Sequence, residues 1–210
     1  MAEPELSFMA LADSELLRIL ESQGFRELVT AHLFASGVAL APTLDDKHML
    51  ADHAREELGH FEVVSVLYDK ISGKSLYDVV GTRADRVELP KSWLESAVAG
   101  YLVDRAAALQ LFDYKAFGDA RLDILVDEIL EHEHEHQKAA ETALRDLCRN
   151  DPSSSEMAAR HVVRWFDVAA GILDRTESAR LKKTAAAFVD SIRPTMAECR
   201  LPLPDFPASA

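Results

Sequence analysis

The sequence predicts an all-α protein: a bundle of four long helices with additional helices at its C-terminal end. Three observations carry this. Apolar residues recur at three- and four-residue steps through most of the 210 positions, the spacing of one helix face. Glycine and proline are scarce, at 8 each, which leaves few of the turns a β-rich chain needs. Four periodic stretches reach about 28 residues, or about 40 Å, well beyond the usual helix of about 11–12 residues.

The first helix is expected from about Asp13 to Leu40, with Leu16, Leu20, Leu28, Ala31, Phe34 and Val38 along one face. Ala41-Pro42-Thr43 breaks it, and Pro42 suits the start of a second helix that reaches about Ser72 and stops at Gly73. Residues 74–90 read as a connection, with Gly81 and Pro90 but no strong period. Ser92 followed by Glu95 is a capping-box pattern that opens a third helix through Phe117, and Gly118 marks the next break. A fourth helix spans about Asp119 to Cys148 and ends at Asn150-Asp151-Pro152. Ser153 with Glu156 repeats the capping pattern for a fifth helix, and a sixth covers about Glu177 to Ile192. The tail from 193 to 210, with Pro194, Pro202, Pro204 and Pro207, reads as extended.

No low-complexity linker divides the chain, so residues 1–210 read as one domain, with a bundle core of about 13–150 and C-terminal helices of about 153–192. Long helices with short breaks near 41–42 and 118, and one long crossover at 73–90, suit the ferritin-like kind of four-helix bundle.

Charge narrows the function. Lys and Arg number 23 against 36 Asp and Glu, a formal net charge of −13. Such a surface repels phosphate backbones and anionic lipid, so neither nucleic acid nor membrane is an expected partner. No apolar run approaches the ~20 residues that span a bilayer. The first residues, Met-Ala-Glu-Pro-Glu, carry no basic segment or apolar stretch of a secretory signal. Cys148 and Cys199 are too few for a disulfide framework or a cysteine zinc site. A cytoplasmic location is the expectation.

Two segments concentrate the chemistry: Arg55-Glu56-Glu57-Leu58-Gly59-His60 and Glu131-His132-Glu133-His134-Glu135-His136. Each contains Glu-x-x-His, which sets a carboxylate and an imidazole one turn apart on one helix face. Ferritin-like bundles bind two metal ions with two such units, each matched by a carboxylate from another helix. The fourth helix offers two registers. Glu131 and His134 share a stripe with Asp127, Lys138, Glu141 and Arg145, a solvated face. Glu133 and His136 share one with Leu122, Leu125, Ile129, Ala140, Ala143 and Leu147, where buried charge needs a partner or a metal. Glu133 and His136 are therefore the chosen pair. On the second helix Glu57 and His60 align with Leu50, Val64, Leu67 and Ile71.

The first and third helices should each add one acid. Glu27 lies in an apolar stripe, unlike Glu15 and Glu21; Asp104 is the one acid in the middle of its face, and Glu95 is better explained as a cap. Glu27 precedes Glu57 by 30 residues and Asp104 precedes Glu133 by 29, so the halves read as two copies of one pattern. Four carboxylates and two imidazoles favour two iron ions, or manganese, over zinc or copper. His53, one turn before Glu57, is a candidate neighbour of the site. His132, His134, His32, His48 and His161 read as surface residues or caps.

These motifs are similar to a known family. Ala41-Pro42-Thr43-Leu44 leading into Glu57-x-x-His60, Ser92-Trp93 leading into Leu102-Val103-Asp104, and Glu133-x-x-His136-Gln137 resemble the oxygenase subunit of the phenylacetyl-CoA epoxidase family over about residues 20–140. The resemblance implies a ferritin-like di-iron fold whose ligands, which act catalytically through the metal centre, fall on Glu27, Glu57, His60, Asp104, Glu133 and His136. It implies an oxygen-activating monooxygenase that takes dioxygen and a small organic substrate, an aromatic acyl-CoA among the candidates. Electrons would come from a separate reductase, since no flavin or nicotinamide fingerprint is present. A homo-oligomer or a complex with a related subunit is expected. Two other functions stay open: ferritin- or peroxidase-like iron oxidation or storage, and a non-catalytic scaffold subunit of an oxygenase complex.

Overall fold

A computed structural model describes residues 11–173 and 178–206. The described residues form helices α1 (Asp13–Leu40), α2 (Leu44–Ser72), α3 (Leu76–Ala84), α4 (Trp93–Lys115), α5 (Ala120–Asn150), α6 (Pro152–Ile172) and α7 (Ser178–Glu198), and no strand. Local chemistry sets the ends. Thr43 Oγ1 accepts from the Asp46 N–H at the start of α2, Ser92 Oγ from Glu95 N–H at α4, and Asp119 from Arg121 N–H at α5, each satisfying an otherwise orphaned helical donor. Gly73 closes α2 with φ 68°, a left-handed conformation open to glycine at little cost.

Cross-helix pairs give the directions. Gly37 against Leu50 and Tyr68 with Glu21 make α1 and α2 antiparallel. Arg105 with Glu141 and Lys115 with Asp127 do the same for α4 and α5. Arg26 with Tyr114, and Gly37 beside Ser96, set α4 antiparallel to α1. Helices α2 and α4 therefore run parallel, and the chain must travel the length of the bundle between them. The result is the up-down-down-up arrangement of ferritin-like bundles.

Helix α4 is apolar on every side because it sits between the bundle and the layer formed by α6 and α7. Ala97, Ala99, Ala106, Ala107 and Ala108 are buried along it, and Trp165, Phe166 and Phe188 close the far side. Glu95 does more than cap. Its Oε2 accepts from Lys91 N–H at 2.8 Å, while Oε1 takes Arg164 Nη1 at 3.0 Å and Trp165 Nε1–H at 3.2 Å, which ties α6 to the start of α4. Among the described residues no helix is long and apolar enough to cross a membrane.

Three elements differ from expectation. The 74–90 connection contains α3, held by Leu76, Val80 and Ala84, one buried residue per turn; nine residues are too few to show a clear period. Helix α6 starts one residue before the expected Ser153 cap, because Asp151 accepts from Ser153 N–H and Pro152 occupies the first turn, where a missing N–H is harmless. The expected extended tail instead continues α7 through Pro194 to Glu198. Ile192, Thr195, Met196 and Cys199 are buried while Pro194 is exposed, so packing on either side of the proline outweighs the one lost backbone bond. The expected start at Glu177 and Pro207 lie outside the described residues.

Because Pro194 is exposed and removes a bond to the Asp190 carbonyl, Pro194→Ala is expected to stabilise the protein by about 1–3 kcal/mol. Chemical denaturation checks this; an unchanged or lower midpoint would contradict the helical path through 194.

Candidate metal centre

Every candidate acid and imidazole lies inside the bundle. Glu27 on α1, Glu57 and His60 on α2, Asp104 on α4, and Glu133 and His136 on α5 are each at most 4% exposed. The alternative pair on α5, Glu131 and His134, is exposed. The helical periodicity that carries Leu122, Leu125 and Ile129 into the core carries Glu133 and His136 in with them, one and two turns later.

The donor atoms form two groups, Glu27–Glu57–His60 and Glu57–Glu133–His136, each with atoms within 4.8 Å of one another. Glu57 belongs to both. His60 Nδ1 lies 3.5 Å from Glu27 Oε2 and 3.8 Å from Glu57 Oε2, and His136 Nδ1 lies 3.0 Å from Glu57 Oε1. Neither Nδ1 is aligned to make a hydrogen bond, and Asp104 Oδ2 also has no partner. Orphaned polar atoms at full burial are costly, and orphaned nitrogens converging on carboxylates are what a bound cation would satisfy. These groups could hold metal ions.

The outer faces of both imidazoles are occupied. His136 Nε2 lies 2.8 Å from Glu56 Oε2, and His60 Nε2 lies 2.9 Å from His132 Nδ1. Such contacts fix ring orientation and leave Nδ1 directed inward. The Thr30 hydroxyl reaches Glu57 Oε2 at 2.7 Å. On the α1 side, Gln23 Nε2 donates to Glu27 Oε1, and Arg26 donates onward to Gln23 Oε1 and, at 2.8 Å, to the Tyr114 hydroxyl.

The structure thus brings five of the six candidates into two close groups. Asp104 is buried beside them, near enough for its charge to act on His136, but it belongs to neither group. Besides Thr30 on Glu57 and Gln23 on Glu27, two titratable residues that the sequence did not single out touch the candidate imidazoles. His132, expected at the surface, is half-buried against His60, and Glu56 sits on His136. His132 precedes His136 by four residues and Glu56 precedes His60 by four, so same-face spacing was the available signal. His53, the expected neighbour, has its ring 4.1 Å from that of His136 and forms a further close group with Glu56 and His136.

Electrostatics follow from crowding. Burial and the Glu57 charge push Glu27 up to about 7. Burial lifts Asp104 to about 8, the nearby His136 cation only partly opposing it. Glu133 is held well above the usual carboxylate range by burial and by Glu57. Glu57 goes the other way: burial would raise it, but contacts with His136 and His60 hold it well below that range. Burial would depress the imidazoles, yet Glu27 and Glu57 push His60 up to about 10, and Glu57 brings His136 to about 9. Burial and the His136 charge lower His53 to about 4, so it stays neutral. Without metal the cluster keeps protons that divalent cations would displace.

A narrow cavity of about 30 Å³ adjoins this cluster between the four bundle helices, walled by Phe34, Leu50, Trp93, Gly100 and Ala140, with His53 and His136 in its lining. A Cβ on Gly100 would meet Ala140 at 3.6 Å, an ordinary contact. That glycine therefore opens space rather than permitting a close helix crossing.

The shifts set a pH dependence for the metal-free protein. Groups held above their ordinary values bind protons more tightly when folded, so their stabilisation is present at low pH and is lost as pH rises. For Glu27 and Asp104 the loss begins near the ordinary carboxylate range and runs to about 7 and about 8; for His136 and His60 it runs from about 6.5 to about 9 and about 10. The melting temperature of chelator-treated protein is expected to fall by several degrees between about pH 6 and about pH 8.5, and Asp104→Asn should flatten that fall. A flat profile in the parent protein would contradict the shifts.

Comparison with known proteins agrees with this architecture. No curated protein matches the chain. A family model described as phenylacetic acid catabolic protein matches residues 1–209, nearly the full length, and it is the family that the sequence motifs resemble. The chain belongs to the phenylacetic acid catabolic protein family.

Proposed function

We propose that Glu27, Glu57, His60, Asp104, Glu133 and His136 hold two iron ions, with Glu57 shared between them, and that the chain is the oxygen-activating subunit of a monooxygenase. The observation that carries this is the shared carboxylate: two buried donor groups, each with its own histidine, meet at Glu57. Oxygen and imidazole donors without thiolate suit iron, with manganese as the substitute. Four carboxylates offset the charge of two divalent ions, which explains why so many acids are tolerated in an apolar core.

When bound, the iron pair supplies the redox chemistry of dioxygen activation. The chain supplies the surroundings. Thr30 orients Glu57, Glu56 and His132 orient the two imidazoles, and Phe34, edge-on to His53 and His136 at 5.2 and 5.3 Å, keeps the cavity side apolar. The cavity has a largely apolar lining but only about 30 Å³ of space, so a substrate group would have to displace side chains to reach the metal pair. The family description is what supports a small aromatic acid or its acyl-CoA thioester as substrate. Electrons are proposed to come from a separate reductase and the working unit to be a complex with a related subunit, both in the cytoplasm.

Reconstituted full-length protein is expected to bind about two iron ions per chain, while Glu57→Ala and His60→Ala should lose most of that iron along with the thermal stabilisation it gives. Unchanged iron in both variants would contradict the ligand set. With a chemical reductant, oxygen uptake that rises on adding an aromatic acyl-CoA or free aromatic acid supports the monooxygenase reading. Accumulation of ferric mineral, with no change in the organic compound, would instead support iron storage.

A further inference from the structure

Far from the metal centre, the C-terminal end of α5 meets the end of α7, and both cysteines of the chain lie there. Cys148 is half-buried on α5 and Cys199 is buried in the turn that follows α7. The two line one open cleft of about 560 Å³. Ion pairs on their neighbours hold the two segments together: Arg145 Nη1 with Glu198 Oε2 at 2.7 Å and Arg149 Nη2 with Glu198 Oε1 at 3.2 Å. Arg145 also donates to Thr195 Oγ1 at 3.1 Å, and Thr195 to Glu141 Oε1 at 2.8 Å. These contacts bracket the two thiols and hold the end of α5 against the turn after α7, with both cysteines on the wall of the same cleft. The Cys199 thiol is pushed up to about 12 by burial and by its contact with Cys148, and it keeps its proton. Cys148 is the thiol an oxidant reaches first.

We infer that Cys148 and Cys199 are an oxidisable dithiol that closes to a reversible disulfide and staples α7 to α5, the helix that carries Glu133 and His136. The oxidant named is hydrogen peroxide. The Cys148 sulfur attacks one peroxide oxygen, the O–O bond breaks, and Cys148 becomes a sulfenic acid with release of one water. The Cys199 sulfur then displaces the sulfenic hydroxyl, which leaves as a second water with the Cys199 proton. Two thiols lose two electrons and two protons in all, and peroxide is reduced to water. A dithiol reductant reverses the step. The inference is independent of the metal centre and holds whether or not iron is bound. A covalent link between residues so far apart in sequence removes freedom chiefly from the unfolded chain, so the oxidised form should be harder to melt.

The test uses full-length, chelator-treated protein and hydrogen peroxide. Free thiols are expected to fall from two per chain to none, with a mass loss of about 2 Da, one cross-linked peptide pair joining 148 to 199, a higher melting temperature, and full recovery with dithiothreitol. In Cys199→Ser the reaction should stop at a sulfenic acid on Cys148, trapped by dimedone; in Cys148→Ser the Cys199 thiol should stay unreacted. Persistence of both thiols in the parent protein, a mass gain from sulfinic acid in place of the loss, or disulfide-linked dimers would each overturn the inference.

Discussion

The structure depends on one constraint: four carboxylates and two imidazoles are taken out of water in the middle of a helical bundle. Taking an ionised carboxylate into an apolar interior without compensation costs several kcal/mol, and four together also repel one another. Glu57 relieves part of this by lying against both His60 and His136, and the others relieve it by holding protons. The bundle tolerates such an interior because most of its remaining core is apolar, from Leu16 and Leu20 to Trp165 and Phe188, and buried polar groups such as Arg26 and Glu95 are hydrogen-bonded. A pair of bound cations would turn the least favourable region of the fold into its most strongly held one.

Bundle geometry brings the candidate ligands together with little irregularity. None of the helices that carry the candidate residues is broken at the site, and the only described non-glycine residue with positive φ is Arg200, far from it. Antiparallel pairing of α1 with α2 and of α4 with α5 sets residues from different helices at one level, and the crossover through α3 makes α2 and α4 parallel. Helix α4 then contributes small residues toward the centre and is covered outside by α6 and α7. That outer layer, anchored by Glu95 and Trp165, covers most of the apolar surface that α4 turns away from the bundle, Phe112 excepted.

Much of this was legible in the sequence, for identifiable reasons. Long helices declare themselves by period, and the choice of Glu133 over Glu131 followed from the stripe each shares, which the burial of one and exposure of the other matches. What escaped was decided by tertiary contact. Spacing sets His132 four residues before His136, but that it meets His60 on α2 while His134 meets solvent is decided by the approach of a second helix. Asp104 was found by its position on α4, but its distance from the two donor groups depends on how closely α4 approaches, which spacing within one helix does not encode. Helix α3 was too short for a period, and α7 overrides a proline because its buried face continues past it. The Cys148–Cys199 contact joins residues from the ends of two helices, a pairing no count of cysteines reveals.

The central claim is that Glu57 is shared between two metal ions, and the most direct measurement is the anomalous scattering of iron in crystals grown or soaked with ferrous iron. The account predicts two peaks inside the bundle, one within reach of Glu27, Glu57 and His60 and the other within reach of Glu57, Glu133 and His136. A single peak, or iron found only among the exposed acids of α2 and α5, would contradict it.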